Sequence, residues 1–320
     1  MLGIGIIGAG SISEKHADAI GGIPEARVTA VSSRSIESAE RLAARCGAHA
    51  CASTEKMLSR SDVDAVVICT PSGTHGDIAI AAANAGKHVI VEKPMEITLE
   101  KIDAIIEACK SNKVQLHGIY NNRYQPVYQF LKKAVDSGRF GKIINANASV
   151  RWYREPVYYN DSPWHGTWAL DGGGTLMNQS IHYVDLLLWL AGDVSHVFGY
   201  PRTLMHSKIE TEDTAVASLE FANGAIGSIV ATTSTYGGFP AELQLTGERG
   251  TVLVCDNTIK HWLFQDHDPI DDEVANYQAN SSAKSYADPA AFTCADHRAQ
   301  LTQIVDEILN RKDPTVSGEE

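Results

Sequence analysis

The sequence predicts an α/β protein in two parts. Residues 1–122 form a Rossmann-type domain on a doubly wound parallel sheet, and residues 123–320 form an α/β domain with a large open-faced, mainly antiparallel sheet. Three observations predict this. The first third alternates short apolar runs with amphipathic stretches of helix length, the texture of βαβ units. From Lys142 onward the strands become longer and alternate apolar with polar residues. A glycine-rich corner, GIIGAGSIS, joins the first apolar run to the first amphipathic stretch.

In the first part, strands are expected at residues 2–7, 27–32, 65–69, 88–92 and 114–118, and helices at 14–19, 36–46, 77–85 and 99–112. In the second, strands are expected at 143–152, 194–201, 214–221, 225–233, 242–246 and 250–255. One continuous helix follows the glycine run 172–174. It puts Met177, Ile181, Val184, Leu187, Leu188 and Ala191 on one apolar side and stops at Gly192. The polar stretch 269–289 reads as a surface loop or lid whose helical content the sequence leaves open, and 299–309 as a last amphipathic helix.

With 320 residues, 44% of them hydrophobic, the chain can bury two ordinary cores. A net charge of −12 gives no footprint for phosphate backbones or anionic lipid, so neither nucleic acid nor membrane is an expected partner. Six scattered cysteines without a CxxC pair, and an N-terminus without a basic leader, point to a cytoplasmic protein.

Gly8, Gly10 and Ser13 fill the three positions of G-x-G-x-x-G between a strand and a helix. There, bare backbone, with Ser11 and Ile12 at the helix start, lets a pyrophosphate approach the N-terminal amides. Dinucleotide binding is the expectation; a plain strand-turn-helix corner is the structural alternative. The second strand ends in Val31, Ser32, Ser33, Arg34, without the acid that would bond an adenosine ribose 2′-hydroxyl. Ser33 and Arg34 suit a 2′-phosphate, favouring NADP(H) over NAD(H), although Arg34 as a solvated or adenine-stacking cation fits either.

HVIVEKP brings Glu92, Lys93 and Pro94 to the carboxyl edge of the sheet, where a lysine can stabilise charge on a substrate oxygen during hydride transfer. The proline fixes the local backbone, a cis bond being one form of this. In the helix after the glycine run, Asn178 and His182 stand i, i+4 apart on one face, and Asp185 follows to orient the imidazole. A lone helical histidine is otherwise a structural residue.

RWYREPVYY and SPWHGTW gather Trp152, Tyr153, Tyr158, Trp164 and Trp168 for stacking on a sugar or base, with Arg151 or Arg154 for an anionic group. Core and sheet-edge aromatics are the bland alternative. No GxSxG, Walker A or HExxH pattern occurs, no metal is expected, and His16 reads as a packing or capping residue.

Taken in order, GAGSIS, TPSGTH, EKP, NNRY, GGGTLMNQSIHYVDLLLWLAG and VSGEE resemble the Gfo/Idh/MocA oxidoreductase family over nearly the whole chain. The resemblance implies an NAD(P)-dependent dehydrogenase or reductase of CH–OH groups. The implied substrate is a secondary alcohol or ketone of a sugar, polyol or sugar nucleotide. Independently of the resemblance, the alternating strands of the second part have too few helices to cover both faces of their sheet, which leads to the expectation of a homodimer or homotetramer through the open face. The resemblance implies cofactor contacts from Gly8, Gly10, Ser11, Ile12, Ser33, Arg34, Thr70, Pro71, His75, Glu92 and Lys93. It implies catalytic roles for Lys93, His182 and Asn178, and substrate contacts from these three with Arg123, Tyr153 and Trp164.

Asn178 stands where most members have Asp, and Ser180 where glycine is usual. WHGTWALDGGG looks most like the branch oxidising the 3-hydroxyl of UDP-N-acetylglucosaminuronate, where WRGTW is usual; His165 replaces that arginine, which weakens the expected carboxylate recognition. The family pattern also continues past the final GEE with a further helix. An NADPH-dependent keto-sugar reductase and a non-catalytic dinucleotide-binding sensor are the alternative readings.

Overall fold

Six parallel strands organise the first of two units. In chain order it runs β1 (Leu2–Ile7), α1 (Ser11–Ile20), β2 (Ala26–Ser32), α2 (Ile36–Cys46), β3 (His49–Cys51), α3 (Thr54–Leu58), β4 (Ala65–Ile68), α4 (His75–Asn84), β5 (His88–Val91), α5 (Leu99–Asn112) and β6 (Leu116–Gly118). The sheet order is β3-β2-β1-β4-β5-β6, which reverses direction between β1 and β4. In a doubly wound sheet such a switch point opens the ligand crevice.

The computed structural model describes residues 1–280 and 294–319. β1 and β4 are buried at every position because helices cover both sheet faces, hence the continuous apolar runs. Ile4, Ile6 and Val67 pack with α1 and α2 through Ala17, Ile20 and Leu42. On the other face Ile7, Val66 and Ile68 pack with α4 and α5 through Ala79 and Ile105. β3 and α3 were not expected, since three and five residues are too short to display a period.

The second unit contains α6 (Pro126–Asp136), β7 (Ile143–Arg151), α7 (Pro156–Asn160), α8 (Ile181–Ala191), β8 (Val194–Arg202), β9 (Thr214–Phe221), β10 (Ile226–Thr232), β11 (Glu242–Gly247), β12 (Gly250–Cys255), β13 (Thr258–Phe264) and α9 (Pro269–Asn280). Its seven-stranded sheet has the order β13-β12-β11-β7-β10-β9-β8 and is antiparallel except where β7 meets β10. Along β7, Ala146, Ala148 and Val150 enter the core with α6 and α8. Asn145, Asn147, Ser149 and Arg151 lie on the opposite face, where Ser228 Oγ donates to Asn147 Oδ1 at 2.8 Å. That open face is polar at its middle and carries exposed Phe198, Tyr200 and Val216 towards the β8 edge.

Three expectations are corrected here. The stretch from 269 is not a loop: α9 occupies Pro269–Asn280, with Ile270 and Val274 buried, while 281–289 lies outside the described residues. Residues 126–136, for which no element is expected from the sequence, form α6, which Pro126 opens and in which Val127, Tyr128, Leu131 and Ala134 form the buried stripe.

The third concerns the boundary near residue 122, which is not a single cut. The first unit comprises Met1–Asn121, Ala169–Gly172 and the described part of Thr293–Glu320; the second comprises Asn122–Trp168 and the described part of Gly173–Phe292. The last helix, α10 (Ala295–Asn310), returns to the first unit because Leu301, Ile304, Val305 and Ile308 share a core with Ala17 and Ile20 of α1. Its fully buried Gln300 donates to Gly118 O at 2.8 Å and accepts from Tyr120 N at 3.1 Å. No helix among the described residues is long and apolar enough to cross a membrane, and all six cysteines are free thiols.

Candidate active site

The glycine corner between β1 and α1 is shaped by what a side chain would strike. Gly8 has φ +109°, and a Cβ there would lie 2.6 Å from Cys69 O. Gly10 is the N-cap of α1 with an ordinary φ of −89°, and a Cβ there meets nothing within 4 Å. No side chain caps α1, so the amides that open the helix at Ser11 and Ile12 face the open space left by Gly10. Bare backbone, free volume and a helix N-terminus together fit the pyrophosphate of a dinucleotide. Ser13 at the third motif position is fully buried and serves packing.

After β2, Ser33 is half-buried and Arg34 exposed. After β4, Thr70 and Pro71 lead to His75, which is 1% exposed; its Nε2 faces Thr70 O at 2.8 Å and its Nδ1 faces Pro94 O at 2.9 Å. After β5, Glu92 is buried, and the Lys93–Pro94 bond is cis. Glu92 Oε1 is 2.7 Å from His16 Nε2, and Oε2 accepts from Lys93 N at 3.1 Å. Burial opposes ionisation of Glu92, yet the hydrogen bond from His16 and the nearby His297 imidazole hold its carboxyl well below the usual range. Both oxygens of Glu92 are therefore engaged inside the fold, and His16, expected only to pack or cap, is one of their partners.

In the second unit the end of the glycine run is fixed by a residue the sequence reading missed. A Cβ on Gly174 would sit 1.7 Å from Glu212 O. The buried Glu212 carboxylate accepts from Gly174 N through Oε2 and from Leu176 N through Oε1, both at 2.9 Å. Nothing in the local pattern of Thr211, Glu212 and Asp213 marks it, because its partners lie far back in the chain.

The single helix expected here is two pieces. Thr175–Gln179 is a π-turn in which Ser180 N donates to Thr175 O at 2.8 Å, and α8 starts at Ile181. Asn178 and His182, both half-buried, thus stand on either side of the break, and α-helical i, i+4 spacing does not describe them.

Arg123 lies in the turn Asn121–Tyr124 with its side chain buried. Its Nε and Nη2 donate to Asp185 at 2.9 and 2.6 Å, so the carboxylate expected to orient His182 takes a bidentate guanidinium. Tyr153 packs edge-on to Tyr236. His165 stacks on Tyr158 at 4.3 Å and tilts against the half-buried Trp164 at 4.1 Å. Of the two arginines considered for an anion, Arg151 pairs with Glu242 at 3.0 Å, and Arg154 is buried over the Trp152 and Tyr158 rings.

Comparison with known proteins gives consistent matches. Residues 2–120 match the profile described as "Oxidoreductase family, NAD-binding Rossmann fold", and 128–253 match the GFO/IDH/MocA C-terminal domain. The WlbA dehydrogenase of Bordetella pertussis, solved in complex with NADH and UDP-GlcNAcA, is 34% identical with a TM-score of 0.91 over 99% of this chain and 90% of that one. The Chromobacterium violaceum WlbA dehydrogenase, with the same ligands, is 32% identical with a TM-score of 0.90 over 99% and 89%. Inositol 2-dehydrogenase of Rhizobium meliloti is 28% identical over 78% of this chain and 74% of its own length.

Two glycine variants separate packing from ligand space. Gly10→Ala should melt within about 2 °C of the parent protein, yet bind dinucleotide at least about tenfold more weakly, since its methyl enters only the open cradle. Gly174→Ala should lose stability by more than about 2 kcal/mol, because backbone must move. Thermal melts and calorimetric titration read both; unchanged cofactor affinity in Gly10→Ala would contradict the cradle.

Proposed function

Because the chain belongs to the Gfo/Idh/MocA family of oxidoreductases, we propose that it transfers a hydride between a nicotinamide dinucleotide and a secondary alcohol or ketone of a sugar, polyol or sugar nucleotide. The observation that carries this reading is the carboxyl edge of the parallel sheet. The bare Gly10 cradle follows β1 and the anchored Lys93 follows β5 on that one edge. The bound nicotinamide supplies the hydride acceptor or donor. Lys93 supplies positive charge to the substrate oxygen, His182 exchanges its proton, and the Asn178 amide orients the hydroxyl without accepting that proton.

Sugar nucleotides head the candidate substrates, since the two WlbA structures hold UDP-GlcNAcA. His165 stands where that branch usually carries arginine, and an imidazole packed on Tyr158 and Trp164 offers no bidentate fork for a uronate carboxylate. Assays should therefore include neutral hexose nucleotides and inositols beside the uronate. In pre-steady-state measurements of nicotinamide absorbance, Lys93→Ala and His182→Ala should each slow turnover by about a hundredfold or more with little change in cofactor affinity. Parent-like hydride transfer in both variants would remove these residues from the chemistry.

The absence of an acid at Ser33–Arg34 supports binding of NADP(H) at least as tight as that of NAD(H). Paired calorimetric titrations test this, and a preference for NAD(H) of about tenfold, about 1.4 kcal/mol, would overturn it.

The open face of the seven-stranded sheet, with Phe198 and Tyr200 65% and 57% exposed, supports self-association through that face. Light scattering at micromolar concentration should return a dimer or tetramer, and a monomer mass contradicts it.

A further inference from the structure

One cluster in the first unit is left unused by the reaction scheme. His16 from α1, Glu92 after β5 and His297 from α10 are all buried, and their ligand-type atoms lie within 4.8 Å of one another. His16 Nε2 is 2.7 Å from Glu92 Oε1, and His297 Nε2 is 3.6 Å from the same oxygen. The two imidazoles meet edge to face at 5.1 Å. A His₂Glu set invites a metal reading, but a metal-bound imidazole hands its other N–H to an acceptor. The Nδ1 atoms of His16 and His297 are buried and have no such acceptor among the described residues. With the hydrogen on Nε2 instead, His16 donates to the carboxylate and leaves a bare acceptor at Nδ1, a less costly orphan than an N–H.

The protonation states agree with this. Burial pushes His16 below its ordinary range, while the hydrogen bonds from its neighbours keep Glu92 ionised against desolvation. The remaining oxygen, Oε2, accepts from Lys93 N. One residue further on, Pro94 O faces His75 Nδ1 at 2.9 Å. The Lys93 N–H is therefore held by a buried carboxylate, and the Pro94 carbonyl faces a buried imidazole whose one N–H, in the neutral ring, is shared between that carbonyl and Thr70 O.

We propose that Glu92 is a positioning residue for Lys93: a buried carboxylate, set by His16 and His297 on one oxygen, that fixes the lysine backbone with the other. The inference rests on the reading that Lys93 acts on the substrate oxygen. It makes α10, through His297, part of the machinery that aims the lysine. An ammonium on a four-carbon stem reaches the same point at every turnover only if its own backbone is fixed.

The test is a double-variant cycle of Glu92→Gln and Lys93→Ala, with hydride transfer, cofactor KM and thermal melting measured for each protein. Glu92→Gln preserves shape but turns one oxygen into a donor, so either the imidazole or the Lys93 amide loses its acceptor. Its hydride-transfer rate should fall at least about tenfold while the cofactor KM stays within about twofold. The double variant should be no slower than Lys93→Ala alone, because Glu92 acts through that residue. Effects that multiply, a parent-like rate in Glu92→Gln, or stoichiometric zinc in the purified protein would each overturn the proposal. A parent-like rate in Lys93→Ala by itself would instead show that the underlying reading of Lys93 has failed. His297→Gln, at the periphery of the cluster, should show the same pattern at smaller amplitude and carries the same test where Glu92→Gln does not fold.

Discussion

Ile7, Ile68 and Val91 end level with one another because β1, β4 and β5 pair in parallel, and the chemistry of the first unit follows from that register. The ladder runs one residue past each strand: Cys69 N donates to Ile7 O at 2.8 Å and Glu92 N to Ile68 O at 3.1 Å. Gly8, Cys69 and Glu92 therefore stand side by side, and the residues after them leave the sheet together at its carboxyl edge. Alternation along the strand sends the Glu92 side chain towards His16 of α1 and His297 of α10. A slip of one residue would turn Lys93 to that buried face and Glu92 away from it, so the pairing register also decides which of the two is available for chemistry.

What was legible in the sequence was whatever repeats over many residues or demands a special backbone. The strand and helix alternation of the first 118 residues, the glycine corner and the long strands from residue 143 could be read because period and glycine position act locally. Period fails below one or two turns, which hid β3 and α3. It also gave no warning that the stretch before α8 departs from α geometry. There the sequence TLMNQSIHYV is compatible with a continuous helix, and the break is imposed by Glu212, which seizes two amides at its start. The polar composition that suggested a loop at 269 belongs to α9, a helix whose buried side needs only Ile270 and Val274. At the candidate site, Lys93 and Gly10 were readable from their place after a strand. The fates of Arg123, Asp185, Glu92 and His16 were not, because each depends on a partner 62 or 76 positions away.

Five buried carboxylates share one use. Glu92 holds Lys93 N, Glu96 holds the amides of Ile97 and Thr98, and Glu212 holds Gly174 N and Leu176 N. Asp213 holds Leu204, Met205 and His206, and Asp256 holds Ala241 N. All of these amides lie in stretches where no helix or strand supplies an acceptor, and a buried amide without one is costly. An ionised carboxylate satisfies several at once, and their hydrogen bonds in turn stabilise its charge. Burial raises Asp213, for example, but three backbone amides and Thr214 bring it below its ordinary range. Such clamps define an irregular backbone where propensity cannot.

The charge balance poses a last question, since a protein of net charge −12 is read as binding a dinucleotide that is itself anionic. Surface charges act through screened solvent and fade beyond about 8 Å at physiological salt. The amides at the start of α1 act at contact, in a cradle kept open by Gly10 and without a side-chain cap to compete for them. A helix N-terminus carries roughly half a unit of positive charge concentrated in its first turn. At contact distance this local field outweighs the diffuse charge of the whole surface, so pyrophosphate binding needs no basic patch. Because the amides are common to every dinucleotide, they cannot distinguish one from another. In the proposed reading, discrimination is left to side chains beyond the second strand, where Ser33 is half-buried and Arg34 is exposed. Cofactor choice is thereby separated, in that reading, from cofactor affinity, the first assigned to Ser33 and Arg34 and the second to the helix-opening amides that Gly10 leaves uncovered.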